Sequence, residues 1–165
     1  MNTKISELLD RVEQFSTNNA AEIEDFRVKM IGKKGELTAL MEEFKGVAPE
    51  LKREYGQKLN ALKQAILAKI ADKNIRIITL TITEGGYNME KSTGEFILDD
   101  PAIQYDLQNP HSPKTVFGFI AEGLRRRKAL GNGPVTILSC DNLQHNGNTA
   151  RKAFSTFFKA QDAEL

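Results

Sequence analysis

The stretch from Leu67 to Tyr87, LAKIADKNIRIITLTITEGGY, changes its pattern in the middle. Up to Ala71 the apolar residues fall at three- and four-residue spacing, which places them on one face of a helix. Beyond Asp72, Ile75, Ile77, Ile78, Leu80 and Ile82 alternate in part with Arg76, Thr79, Thr81 and Thr83, and the run stops at Glu84-Gly85-Gly86. That density of β-branched residues specifies a mostly buried strand. A helix that feeds such a strand makes the chain a mixed α/β protein. The change of pattern divides it into a helical part, residues 1–72, and an α/β part, residues 73–165.

Composition bounds what either part can do. The chain has 165 residues, enough for one ordinary domain or two small ones, and a formal net charge of +1. Each half is close to neutral, so no broad basic surface announces a nucleic-acid binder. Cys140 is the single cysteine and the two histidines are far apart, which leaves no disulfide and no expected metal site. No run approaches the roughly 18 apolar residues of a spanning helix, and the start MNTKISELLDRV is charged and amphipathic. The expectation is a cytoplasmic protein with no membrane contact.

Working back from Leu67, the helical part reads as three apolar stripes. Ile5, Leu8, Leu9, Val12 and Phe15 form the first, before the polar break Ser16 to Asn19. Ile23, Phe26, Met30 and Ile31 form the second, before IGKKGE, and Leu37, Leu40, Met41 and Phe44 form the third. Pro49 then opens a helix in which Leu51, Tyr55, Leu59, Leu62, Ile66 and Ile70 recur at close to heptad spacing. A helix from Pro49 to Asp72 is about 35 Å long, and a single apolar stripe of that length needs a partner. Residues 20–45 are the nearest, so the pattern predicts an antiparallel helical hairpin, or coiled coil.

Working forward, NMEKSTGE between Tyr87 and Phe96 has turn chemistry. Asp99-Asp100-Pro101 caps a short helix that stops before Asn109-Pro110, and Ser112-Pro113 repeats the start signal for a helix carrying Val116, Phe117, Ile120 and Leu124. Arg125, Arg126, Arg127 and Lys128 close that helix, where cations complement its dipole. After Gly131-Asn132-Gly133 the run VTILSC predicts a second strand, and a last helix from about Gly147 carries Ala150, Ala153, Phe154, Phe157 and Phe158. Strand, crossover helix, strand, helix is a βαβα unit with a parallel sheet. It brings Thr83, Glu84, Gly85 and Gly86 beside Asp141 and Asn142, at the edge where open α/β sheets bind ligands. His145 reads as a loop or cap residue.

FRVKMIGKKGELTALMEEF, with YGQKLNALKQAI after it, resembles the N-terminal helical arm of the bacterial phenylalanyl-tRNA synthetase alpha subunit over residues 1 to about 70. The resemblance implies a coiled coil that contacts tRNA while catalysis lies in a separate core, to which nothing after residue 73 is similar. Arg27, Lys29, Lys33 and Lys34 are the residues placed to reach phosphates. The alternative assignment of these charges is the solvated face of a coiled coil.

TITEGGY, GEFILDDPAIQYDL, PKTVFGFI, EGLRRRKA and SCDNLQHNGNTAR resemble a second family, the polyol-specific long-chain dehydrogenases that include mannitol 2-dehydrogenase and fructuronate reductase. That resemblance covers residue 72 to the end and implies part of a Rossmann-like nicotinamide-binding domain. It implies that Asn142 polarises the substrate oxygen and that Thr83, Glu84, Gly85 and Gly86 lie beside the cofactor. Gln144 departs from the proline usual after D-N-L.

The chain therefore reads as a chimera joined at residues 67–73. No G-x-G-x-x-G turn opens a βαβ unit to hold a pyrophosphate, and the family's general base comes from a large downstream domain, whereas this sequence ends at Leu165. The sequence-based expectation is a non-catalytic interaction protein without cofactor and with a vestigial Asn142. It would bind a protein partner, or itself, through Leu51, Tyr55, Leu59, Leu62 and Ile66. A tRNA-contacting module and a residual nicotinamide-dependent polyol dehydrogenase are the alternatives.

Overall fold

A computed structural model describes residues 2–17, 19, 22, 25–26, 29–30 and 35–162. It is helix-dominated, with one small parallel sheet, and divides into two compact units, Met1–Ile66 and Leu67–Leu165.

In the first unit, α1 (Asn2–Gln14) buries Ile5, Leu8 and Val12, α2 (Glu36–Lys45) buries Leu37 and Leu40, and α3 (Pro49–Ala71) buries Leu59, Leu62 and Ile66. These are the apolar stripes of the sequence, turned inward. Arg11 donates to both carboxylate oxygens of Glu36 at 2.9 and 3.0 Å, and Lys4 reaches Glu43 at 2.8 Å, so α1 and α2 lie antiparallel. The rings of Phe15 and Phe26 stack with centroids 3.9 Å apart. The sequence pattern paired residues 20–45 with α3. The described residues add α1 as a neighbour of α2, and Ile23, Arg27, Ile31, Lys33 and Lys34 lie outside the described residues.

The second unit begins with the last turn of α3. β1 (Ile77–Leu80) leads into a 3-10 turn (Glu84–Tyr87), and an antiparallel bridge between Met89 and Phe96 closes the segment read as turn chemistry. Then follow α4 (Pro101–Gln108), α5 (Val116–Ala129), β2 (Thr136–Ser139) and α6 (Asn146–Gln161). The strands pair in parallel, with Ile77 opposite Thr136 and Leu80 opposite Ser139. Side chains alternate across the pair. Ile78, Leu80, Ile137 and Ser139 turn toward the helices, while Ile77 and Leu138 on the opposite face stay 49% and 47% exposed. Under the covered face Phe96, Phe117, Phe154 and Phe157 form the core, with Phe117 and Phe154 rings 4.7 Å apart.

Asp100 caps α4 as the sequence required, accepting from the amides of Ala102 and Ile103 at 2.8 and 3.1 Å. The start of α5 differs from expectation. Fully buried Asp106 accepts from the amides of Lys114 and Thr115, both at 2.8 Å, and from Thr115 Oγ1 at 2.6 Å. Those bonds keep residues 113–115 outside the helix, and Thr115 rather than Ser112 becomes the N-cap, accepting from the Gly118 amide at 3.2 Å. Gly118 is required by this arrangement, because a Cβ there would stand 2.3 Å from Asp106 Oδ2.

The last turn of α3 is secured in the same way. Its end leaves carbonyls that the helix itself cannot satisfy. Asn132 Nδ2 donates to the carbonyl of Ala71 at 2.8 Å, and buried Arg127 donates to the carbonyls of Asp72, Gly133 and Pro134. Ile70 fills the space over Gly123, where a Cβ would lie 2.2 Å from Ile70 Cγ2.

Candidate functional site at the carboxyl edge of the sheet

The two strands end side by side, and one carboxylate ties the ends together. Asp141, just past β2, accepts from the amide of Thr83 at 2.8 Å and from that of Ile82 at 3.2 Å, both just past β1. It also accepts from the Tyr87 hydroxyl at 2.6 Å. That hydroxyl lies 2.6 Å from Ser139 Oγ as well, and Tyr87 is wholly buried. Burial first, and then the hydrogen bond to Asp141, push the Tyr87 phenol well above its ordinary value, so it remains a proton donor. On the other strand Asn146 Nδ2 donates to the carbonyls of Ser139 and Asp141 at 3.2 and 3.0 Å.

Two backbone conformations at this edge are unusual. Thr83 has φ +65° and His145 has φ +55°, a region that non-glycine residues seldom occupy and that is enriched at functional sites. Gly85 has open space where a Cβ would be, whereas a Cβ on Gly86 would stand 2.9 Å from Ile82 Cβ. Gly85 thus leaves the backbone open to a ligand, and Gly86 serves the packing of the turn.

The structure brings Thr83, Glu84, Gly85, Gly86 and Asn142 to one edge, as the topology demanded. Thr83, Glu84, Gly85 and Asn142 are exposed there. The Asn142 amide makes no hydrogen bond among the described residues, although the residues flanking it are bonded on both sides. An exposed, uncommitted amide at this edge is able to donate to a carbonyl or alkoxide oxygen. His145 stands at the N-cap of α6 without a side-chain cap bond, consistent with its reading as a loop or cap residue.

The residues chosen for macromolecular contact fare differently. Lys29 is exposed, while Arg27, Lys33 and Lys34 lie outside the described residues. Leu59, Leu62 and Ile66 are 4%, 0% and 7% exposed, already covered within the chain, and only Leu51, at 43%, offers substantial apolar surface on that stripe. Tyr55 is half-buried. Sequence reasoning missed Tyr87, Ser139 and Asn146. Tyr87 read as the residue after a turn and Ser139 as part of an apolar run, and nothing in their spacing marks a shared hydrogen bond.

Comparison with known proteins finds both resemblances. The family model for the N-terminal domain of class II aminoacyl-tRNA synthetases matches residues 18–82. A polyol:NADP oxidoreductase of Gluconobacter oxydans is 54% identical over 102 residues, 62% of this chain and 21% of that protein. A mannitol 2-dehydrogenase of Aspergillus clavatus is 40% identical over 105 residues, again 21% of its length. Among solved structures, the ternary complex of Pseudomonas fluorescens mannitol 2-dehydrogenase with NAD and D-mannitol aligns with TM-score 0.59 and 52% identity, over 61% of this chain and 20% of that one. A substrate-free D-sorbitol dehydrogenase aligns equally well, with TM-score 0.59 and 52% identity over 61% of this chain. The chain thus spans about a fifth of the length of the curated relatives it matches.

These relatives overturn two expectations. A non-catalytic interaction protein was inferred from the apolar stripe of α3 and from cofactor elements not found in the sequence, and the chain was accordingly taken not to be an enzyme. The proteins it resembles over its larger unit are named as oxidoreductases, and the stripe is largely buried.

Proposed function

We propose that residues 67–165 are the nicotinamide-side segment of a polyol dehydrogenase and that the chain works as an oxidoreductase component on a polyol and its ketose. The observation that carries this is the uncommitted amide of Asn142 at the shared carboxyl edge, in a segment that is 52% identical to mannitol and sorbitol dehydrogenases of known structure. The residues fit a nicotinamide there. Open space over Gly85 allows close approach of a flat ring to the backbone, and Thr83, Glu84, Gly85, Gly86 and Asn142 would hold it. When bound, the dinucleotide supplies or accepts a hydride.

The chain's own part is to bind and orient. Asn142 donates a hydrogen bond to the substrate oxygen, favouring the form in which that oxygen carries negative charge. Asp141, held by three donors, acts as a brace and not as a base. Proton transfer to or from that oxygen falls to a group outside this edge.

The chain contains no tryptophan, so fluorescence of bound NADPH or NADH can be followed directly. The reading expects saturable enhancement of that fluorescence and oxidation of D-mannitol or D-sorbitol that Asn142→Ala abolishes. Absence of both dinucleotide binding and turnover would sink it.

A second reading is favoured by the family match at residues 18–82. On it, residues 20–72 form an antiparallel helical hairpin whose Arg27, Lys29, Lys33 and Lys34 contact tRNA phosphates. Binding should then weaken steeply with salt and with Lys33→Ala plus Lys34→Ala. Salt-independent or absent tRNA binding excludes it.

A further inference from the structure

The wholly buried ring of Tyr87 ends in a hydroxyl that is not buried for packing. That oxygen sits 2.6 Å from Asp141 Oδ2 and 2.6 Å from Ser139 Oγ. A phenol has one proton, and the carboxylate can only accept. The proton therefore goes to Asp141, and Ser139 donates to Tyr87 in turn. Ser139 is itself buried, which makes this a closed chain, Ser139 to Tyr87 to Asp141, with no water needed to complete it.

What Asp141 does with that support is specific. Its other hydrogen bonds go to the amides of Ile82 and Thr83, and Thr83 is the residue held at φ +65°. A β-branched residue keeps that conformation only where its surroundings fix it. On the far side, Asn146 binds the carbonyls of Ser139 and Asp141, so the backbone entering Asn142 is fixed from two directions. Asn142 is consequently aimed by its neighbours and by no bond of its own.

We infer that Tyr87 is a positioning residue of this edge: through Asp141 it locks the positive-φ Thr83 and sets the distance between the Thr83–Gly86 turn and Asn142. The inference deepens the polyol dehydrogenase reading and rests on it for the identity of the ligand. Tyr87 touches neither substrate nor cofactor in this scheme. The raised phenol pKa is consistent with it, because the lock needs a protonated hydroxyl at every pH at which the edge would work.

The test uses the full chain and two readouts, amide hydrogen exchange and NADPH fluorescence, on Tyr87→Phe, Ser139→Ala, Asp141→Asn and the double variant Tyr87→Phe with Asp141→Asn. Tyr87→Phe should speed exchange at Ile82 and Thr83 about tenfold while Ala153 and Phe157 in α6 keep their protection. Ser139→Ala should move the same amides by less, and it stays readable if Tyr87→Phe folds poorly. The double variant should be no worse than Asp141→Asn alone, because the two residues form one brace. NADPH affinity should fall with Thr83 protection across the set. Unchanged exchange at Thr83, or an equal rise throughout residues 67–165, overturns the positioning role. If the wild-type chain binds neither NADPH nor NADH and oxidises no polyol, the dehydrogenase reading fails, while the exchange data still decide whether Tyr87 holds the edge.

Discussion

The two units stabilise themselves by different means. Residues 1–66 have an aliphatic core of Ile5, Leu8, Val12, Leu40, Leu59 and Leu62, and their long-range charge pairs, Lys4 with Glu43 and Arg11 with Glu36, are exposed. Residues 67–165 have a core of tilted and edge-on phenylalanines and contain all four buried polar side chains found among the described residues: Asp106, Glu122, Arg127 and Ser139. Each of those four is hydrogen-bonded, and no buried side-chain polar atom among the described residues lacks a partner. An aliphatic helix pack tolerates sliding, because one leucine replaces another at little cost. A buried carboxylate with three named donors tolerates none. The second unit is thus the one built to hold atoms at fixed positions.

The contrast can be broken most severely at the aromatic core. Phe157 is fully buried among Phe96, Phe117 and Phe158, and Phe157→Ala should cost about 3–5 kcal/mol in chemical denaturation of the second unit. Next comes Gly118→Ala, which drives a methyl against Asp106 and should cost about 1–3 kcal/mol. Asp106→Ala together with Gly118→Ala should be clearly less than additive, since the clash and the bonds involve the same carboxylate.

A pH titration sharpens the contrast further. Burial alone would raise the pKa of Glu122, but hydrogen bonds from Arg126, Arg125 and His111 outweigh it and hold the carboxyl below its ordinary value of 4.5. Because the folded value is the lower one, Glu122 contributes its full stability above the unfolded value. That contribution is lost as pH falls from about 4.5 through the folded value. Glu122→Gln should therefore be less stable at neutral pH and show a flatter loss of stability on acidification, read by denaturant midpoints between about pH 3 and 7. A parallel acid slope in the variant would remove Glu122 from the account.

The smallest effect is expected in the first unit. Arg11 and Glu36 are each 44% exposed, and Arg11→Ala should cost under about 1 kcal/mol, reduced further by salt. A larger loss would mean that this surface pair specifies the antiparallel α1–α2 arrangement.

Much of the second unit was legible because its signals are local. Asp100-Pro101 marks a helix start wherever it occurs, and the β-branched run and the Gly-rich turns bounded both strands. The start of α5 was misplaced because Ser112-Pro113 carries the same local signal, and the decisive acceptor, Asp106, lies in another helix. The edge follows the same rule. Asn142 and the Thr83–Gly86 turn were found from topology, since parallel strands must end together. Tyr87, Ser139 and Asn146 were not, because a shared hydroxyl or a carbonyl held by a remote amide has no periodicity. In the helical unit the stripes were visible but their partners were not, since apolar spacing fixes which face is buried and not against what.

The brace at the sheet edge also has a consequence in time. Ile82 and Asp141 are 59 residues apart in sequence, and α4 and α5 lie between them. Closing so long a loop is slow compared with forming a helix, so the strand pair and everything hung on it should order last during folding. Until then Ile77, Ile78 and Leu80 remain an unpaired β-prone segment, which makes the interval between synthesis of β1 and arrival of β2 the period of greatest aggregation risk for this chain.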